Sequence, residues 1–155
     1  MPTIRALRLA VPTLLLAIAA TGAQAQAPSK GEQTLKYRKA VYQTTVWNFG
    51  PMSAMAQGKV PFNAAEFEMR AARVAALTPM LAEGYSAESQ NVTGSKAKPE
   101  LWSNRADFDA KLKDLVERSA TLATVAKGRD EAKTRAAFLD TAGACKACHD
   151  KYKAD

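Results

Sequence analysis

No stretch of this chain alternates polar and apolar residues with a period of two, whereas apolar residues recur at intervals of three and four over several long segments. A period of two marks half-buried strands and a period near 3.6 marks amphipathic helices, so the chain is confined to all-α architectures. From Lys30 to about Gln57, Leu35, Val41, Tyr42, Val46, Phe49 and Met52 follow helical spacing, with Pro51 the only internal proline. Gly58 and Pro61 punctuate its end. Asn63 stands at an N-cap position with Glu66 three residues on as capping-box partner, opening a second helix that shows Phe67, Val74, Leu77 and Leu81 on one face. Thr78-Pro79 predicts a kink or a shifted end there, because proline has no amide donor. From about Glu83 to Asn104, Gly, Ser, Asn and Pro break any period, which reads as one long connection. A third helix runs from about Arg105 to Ala126 with Phe108, Leu112, Leu115, Val116, Leu122 and Ala123 as its buried stripe, and Lys127-Gly128 closes it. The fourth runs from about Asp130 to Tyr152 or Lys153. Short links within each pair and a long crossing between the pairs predict an antiparallel four-helix bundle.

The N-terminus has a different character. Arg5 and Arg8 precede an apolar run from Leu9 to Ala20, and Ala23-Gln24-Ala25 supplies the small-residue pattern of a secretory cleavage site. Residues 1–25 are thus expected to be a cleaved signal peptide, with the cut before Gln26 and one domain over residues 26–155. The run falls short of the roughly 20 apolar residues that a membrane span requires. Its removal takes away two arginines and no acid, lowering the formal net charge of +7 by two. Acidic and basic residues are interspersed and no run of five like charges occurs, which argues against a nucleic-acid arm or a polybasic membrane patch.

The last predicted helix contains Cys145-Lys146-Ala147-Cys148-His149. In this arrangement two thiols bond the vinyl groups of a heme and the adjacent imidazole ligates its iron. On a helix, residues three and four apart leave one face, so Cys145, Cys148 and His149 converge. A thioredoxin-like pair would sit at the start of a helix after a strand, and a closed zinc site takes about four ligands. This chain has two cysteines and one histidine in all. A disulfide here would close a loop of a few residues and gain little. One covalent heme c is therefore expected. With His149 the sole histidine, a bis-histidine iron within one chain is excluded, and the opposite axial position falls to Met52, Met55, Met69, Met80, another side chain, water or nothing.

Beyond that motif the sequence resembles the cytochrome c-prime family. The resemblance spans Lys36-Tyr37-Arg38, Tyr42, Trp47-Asn48-Phe49-Gly50-Pro51-Met52, Lys98-Pro99-Glu100-Leu101-Trp102 and Ala136-Ala137-Phe138. It implies a periplasmic four-helix bundle, commonly a homodimer, with a five-coordinate high-spin heme whose distal face is blocked by an apolar or aromatic side chain from the first helix. Methionine-ligated relatives place their sixth ligand four residues after the arginine matched by Arg38, and here that position is Tyr42. The resemblance assigns Arg38 to a heme propionate, Tyr42 to occlusion of the distal face and Lys153 to the proximal side. Spacing alone would equally allow Arg38 on the surface, Tyr42 in the bundle core and Lys153 as a cation at a helix C-terminus.

The implied function is capture of small neutral gases, nitric oxide and carbon monoxide, with electron transfer as a companion role. The alternative is a methionine-ligated, six-coordinate electron carrier of the same fold. A peroxidase or reductase needs a distal acid–base group, and no second histidine exists to provide it, so the chain is expected to be a non-enzyme.

Overall fold

Ser29 starts the first helix. Its hydroxyl accepts from the Glu32 amide at 3.3 Å while the Glu32 carboxylate accepts from the Ser29 amide at 2.7 Å, a reciprocal capping box. In the computed structural model, which describes residues 27–154, helix α1 then runs over Lys30–Ala56. The expected signal peptide lies outside the described residues. Pro51 sits inside α1 and cannot donate to the carbonyl of Trp47. Arg70 of the next helix supplies the missing donor, its Nη1 lying 3.3 Å from that carbonyl.

Helix α2 covers Ala64–Leu77, capped by Asn63, whose side chain accepts from the Glu66 amide at 3.0 Å. The expected disturbance at Thr78-Pro79 takes the form of a change of pitch: the α-helix stops at Leu77 and a 3-10 helix continues over Thr78–Gly84. Thr78 is fully buried there, its hydroxyl 2.8 Å from that of Ser119. The crossover holds a second 3-10 turn at Ala87–Ser89 and a short helix α3 at Glu100–Ser103. Helices α4, Arg105–Ala126, and α5, Glu131–Tyr152, complete the molecule. The expected glycine stop between them is displaced: the left-handed residue is Arg129, φ 53°, rather than Gly128.

The long helices α1, α2, α4 and α5 form a four-helix bundle, with α4 packed on both α5 and α2, and α2 on α1. Its core divides into two clusters. One gathers Met52, Met55, Phe67, Ala71, Val74, Leu122, Ala126 and Phe138. The other gathers Val41, Leu81, Tyr85, Leu101, Phe108, Leu112, Leu115, Ala144 and Tyr152. The predicted stripes mostly hold, but Val46 is 64% exposed, and Arg38 takes a buried place on the same helix at 4% exposure. No described helix is long and apolar enough to cross a membrane.

Candidate heme site

Helices α1 and α5 touch along less of their length than α1 and α2 or α4 and α5 do. Between them lies a cavity of about 510 Å³. Helix α1 contributes Leu35, Arg38 and Tyr42, the crossover contributes Tyr85, Ala97 and Leu101, and α4 contributes Phe108. From α5 come Cys148, His149 and Tyr152, followed by Lys153. Cys145, one turn before Cys148, is half-buried against the same core cluster, and neither thiol is in a disulfide. Burial pushes both thiols above their ordinary pKa. His149 moves the other way: partial burial, and then the charge of Lys153, lower its pKa against the opposing pull of Asp150. The neutral imidazole so favoured is the form that ligates a metal.

The end of α5 is fixed by the crossover. The Lys98 amide donates to the Tyr152 carbonyl at 2.9 Å, and the Ala154 amide donates to the Lys96 carbonyl at 2.8 Å. Lys153 lies within this paired segment, its own amide donating to the His149 carbonyl at 3.0 Å. It is exposed, and shares a second, smaller cavity with His149, Asp150 and Lys98.

Arg38, which the resemblance assigns to a propionate and spacing alone also allowed at the surface, is buried in the cavity wall. Its guanidinium donates to the Gly84 carbonyl at 3.3 Å and to the Ser95 hydroxyl at 2.8 Å, and it lies 4.6 Å from the centre of the Tyr85 ring. No acidic side chain among the described residues pairs with it. A buried cation without an anion is costly, and this one lines the cavity with N–H donors to spare.

Tyr42 lines the cavity too, and its hydroxyl stands 3.0 Å from that of Tyr85. Burial, and then its neighbour Tyr85, hold the Tyr42 phenol far above its ordinary pKa, so no phenolate forms there at neutral pH. Tyr85 went unnoticed in the sequence. It falls in the stretch read as a connection, and its only local signal is an aromatic residue in a polar run. None of the four methionines after Met1 lines the cavity: Met52 and Met55 are sealed in the other cluster, and Met69 and Met80 are each 41% exposed.

The cavity falls within the roughly 300–1,000 Å³ of small-molecule and cofactor sites. Paired thiols one turn apart, a neutral imidazole beside them, apolar walls and an uncompensated buried cation suit a flat apolar macrocycle that carries carboxylates. The fold and the site together define a helical-bundle heme protein of the c type. The family model described as cytochrome c' matches residues 33–153. Cytochrome c' of Alcaligenes xylosoxydans xylosoxydans is 34% identical over 125 residues, covering 81% of this chain and 96% of that relative. Cytochrome c prime from Shewanella frigidimarina superposes with a TM-score of 0.79 at 39% identity, over 83% of this chain and 100% of that one. A nitric oxide complex of a variant of cytochrome c prime from Alcaligenes xylosoxidans gives 0.75 at 29% identity, over 83% and 99%. The chain belongs to the cytochrome c' family, and its cofactor is a covalently attached c-type heme.

Proposed function

We propose that this protein is an exported, periplasmic cytochrome c' that binds nitric oxide and carbon monoxide at a five-coordinate heme iron. Cys145 and Cys148 carry the thioether bonds and His149 is the axial ligand. Arg38 holds a propionate through its unused donors, a charge-assisted contact suited to its planar fork. Lys153 stands beside His149 on the proximal side. When bound, the heme supplies an iron centre that takes up a diatomic ligand and changes oxidation state, which also fits a role in electron transfer. The chain's own part is to anchor the group, hold the imidazole neutral and keep water from the opposite face.

The observation that carries this reading is the occupancy of the cavity wall by Tyr42 in place of a sulfur ligand. A phenol held protonated by burial is a poor ligand, so it acts as a steric filter that a small neutral molecule displaces and a charged one does not. The methionine-ligated alternative finds no methionine on the cavity to support it. The nitric oxide complex of the Alcaligenes relative lends the gas-binding reading further support.

The decisive experiment is the optical spectrum of the purified ferrous protein with and without nitric oxide or carbon monoxide. A high-spin spectrum with a gas-induced Soret shift is expected. A sharp low-spin spectrum indifferent to both gases would replace the proposal with a six-coordinate electron carrier. The same reading includes a homodimer, supported by Val46 and Trp47, 64% and 74% exposed beside Gly50 and Pro51 on α1. Sedimentation of the holoprotein as a monomer at all concentrations would remove that part.

A further inference from the structure

Tyr42 is a partition. It lines the cavity between α1 and α5, and it also lines an open, largely apolar groove of about 620 Å³ on the outer side of α1 with Val46, Trp47 and Pro51. Outward movement of the ring would be toward the α1 face read above as the dimer contact, where Arg70 of α2 also lines the groove. The ring packs against the core cluster around the cavity, and its hydroxyl is tied to that of Tyr85 at 3.0 Å.

Tyr85, by contrast, is fixed on every side. Its exposure is only 7%, and its ring stands edge-on to Phe108, the centroids 4.7 Å apart. The Arg38 guanidinium covers the ring at 4.6 Å, and the Tyr85 carbonyl accepts from Arg105 Nη1 at 2.7 Å. An anchored phenol bonded to a movable one makes a latch. Opening it leaves a hydroxyl without its partner in surroundings where an unmade hydrogen bond is expensive.

We propose that Tyr85 is a positioning residue that latches Tyr42 over the ligand-binding face, so that entry of a diatomic gas requires the Tyr42–Tyr85 hydroxyl pair to open. This rests on the reading of Tyr42 as the cover of that face. Either hydroxyl can donate, and removing either breaks the same bond. Tyr85→Phe and Tyr42→Phe therefore act alike on the barrier to gas entry, and the double variant adds little to either, as expected of two groups that share one interaction.

The test is the rate of carbon monoxide association to the ferrous holoprotein after flash photolysis, in wild type, Y42F, Y85F, the Y42F/Y85F double variant and Y42A. The Soret position and far-ultraviolet circular dichroism are recorded for each. Loss of the latch should raise the association rate about fivefold in Y42F and in Y85F, the kinetic equivalent of one net hydrogen bond. The double variant should stay within about twofold of either single one, with helix content and resting Soret band unchanged. Additive effects in the double variant would overturn the latch. So would a Y85F rate equal to wild type alongside a faster Y42A, which would leave Tyr42 as the cover. A Y42A rate equal to wild type would remove the covering role itself. Should Y85F prove misfolded, Y42F breaks the same bond from the less buried partner, and its rate decides the question.

Discussion

A Cβ placed on Gly84 would lie 2.7 Å from the Cβ of Arg38 and 3.2 Å from its Cα. The crossover can therefore pass over α1 at this point only because residue 84 has no side chain, and that close passage is what brings the Gly84 carbonyl to the Arg38 guanidinium. Gly84→Ala should destabilise the holoprotein by about 1–3 kcal/mol, the usual cost of forcing volume into a packed site. Urea titration checks this, and a variant as stable as wild type would mean that the crossover retreats freely from α1. The buried phenols give a second prediction at this scale. Burial raises the pKa of both Tyr42 and Tyr85, whereas in the unfolded chain each titrates near its ordinary value of about 10. The stability they contribute is whole below that pH and is lost as pH rises from there toward the raised folded values. Y42F/Y85F should accordingly lose less stability than wild type between about pH 9 and about pH 11, in urea titrations run at each pH. Equal losses would show that neither phenol is shielded from solvent. The residues proposed to carry the chemistry were legible to different degrees. The spacing of Cys145, Cys148 and His149 announces itself because the proposed attachment is local to one helical turn. Arg38 left its place undecided between surface and interior, and the Tyr42–Tyr85 contact joins positions 43 apart, a pairing that no local pattern encodes.

At the scale of elements, helix starts proved the most readable feature. Asn63 and Asp130 each cap a helix from the position where their side chains compete with the backbone in any other conformation. Helix ends were harder, and the α4–α5 turn shows why. Lys127-Gly128 predicts a glycine stop, yet the residue that turns left-handed is Arg129, at φ 53°. The position of the turn is set by where α5 must begin to bury Thr134 and Phe138, and that tertiary demand overrides the local preference. An L-residue in this conformation costs roughly 1–2 kcal/mol. The compensating Arg129–Glu68 pair, at 3.2 Å with the arginine 63% exposed, is of a kind that contributes about 0–1 kcal/mol. Arg129→Gly should therefore stabilise the fold by up to about 1 kcal/mol, read as a higher thermal midpoint. A lower midpoint would show that the tie to α2 outweighs the backbone strain. The Trp47 carbonyl carries the same lesson in reverse: Pro51 reveals in the sequence that a donor is missing, but only the packing of α2 shows that Arg70 replaces it.

For the molecule as a whole, the division of the core into two clusters separates what packs the bundle from what lines the proposed heme cavity. The cluster of Met52, Met55, Phe67 and Phe138 contains no residue of the α1–α5 cavity, and its side chains close on one another with Phe67 edge-on to Phe138 at 5.9 Å. The other cluster is built around the cavity, since Tyr85, Leu101, Phe108 and Tyr152 belong to both. The helical periods carried the bundle itself, because each stripe is a local pattern. That one stretch of core lines a cavity proposed for a cofactor was announced by the Cys145–His149 motif and the family resemblance, not by any helical period. The two halves should then respond differently when the cofactor is taken away, because stability within a fold is distributed over units that open separately. In Cys145→Ala/Cys148→Ala, which on the proposed attachment holds no heme covalently, amide exchange should speed up in the last turns of α5 and in the paired segment Lys96–Leu101. Those amides rely on walls that have lost their filling. Exchange should stay slow in α2 and in the first turns of α5 around Thr134 and Phe138, where the packing needs no cofactor. Hydrogen exchange read by mass spectrometry of the purified variant distinguishes the cases. Uniform acceleration over all four long helices would mean that the bundle is one cooperative unit and that heme is required by the whole fold.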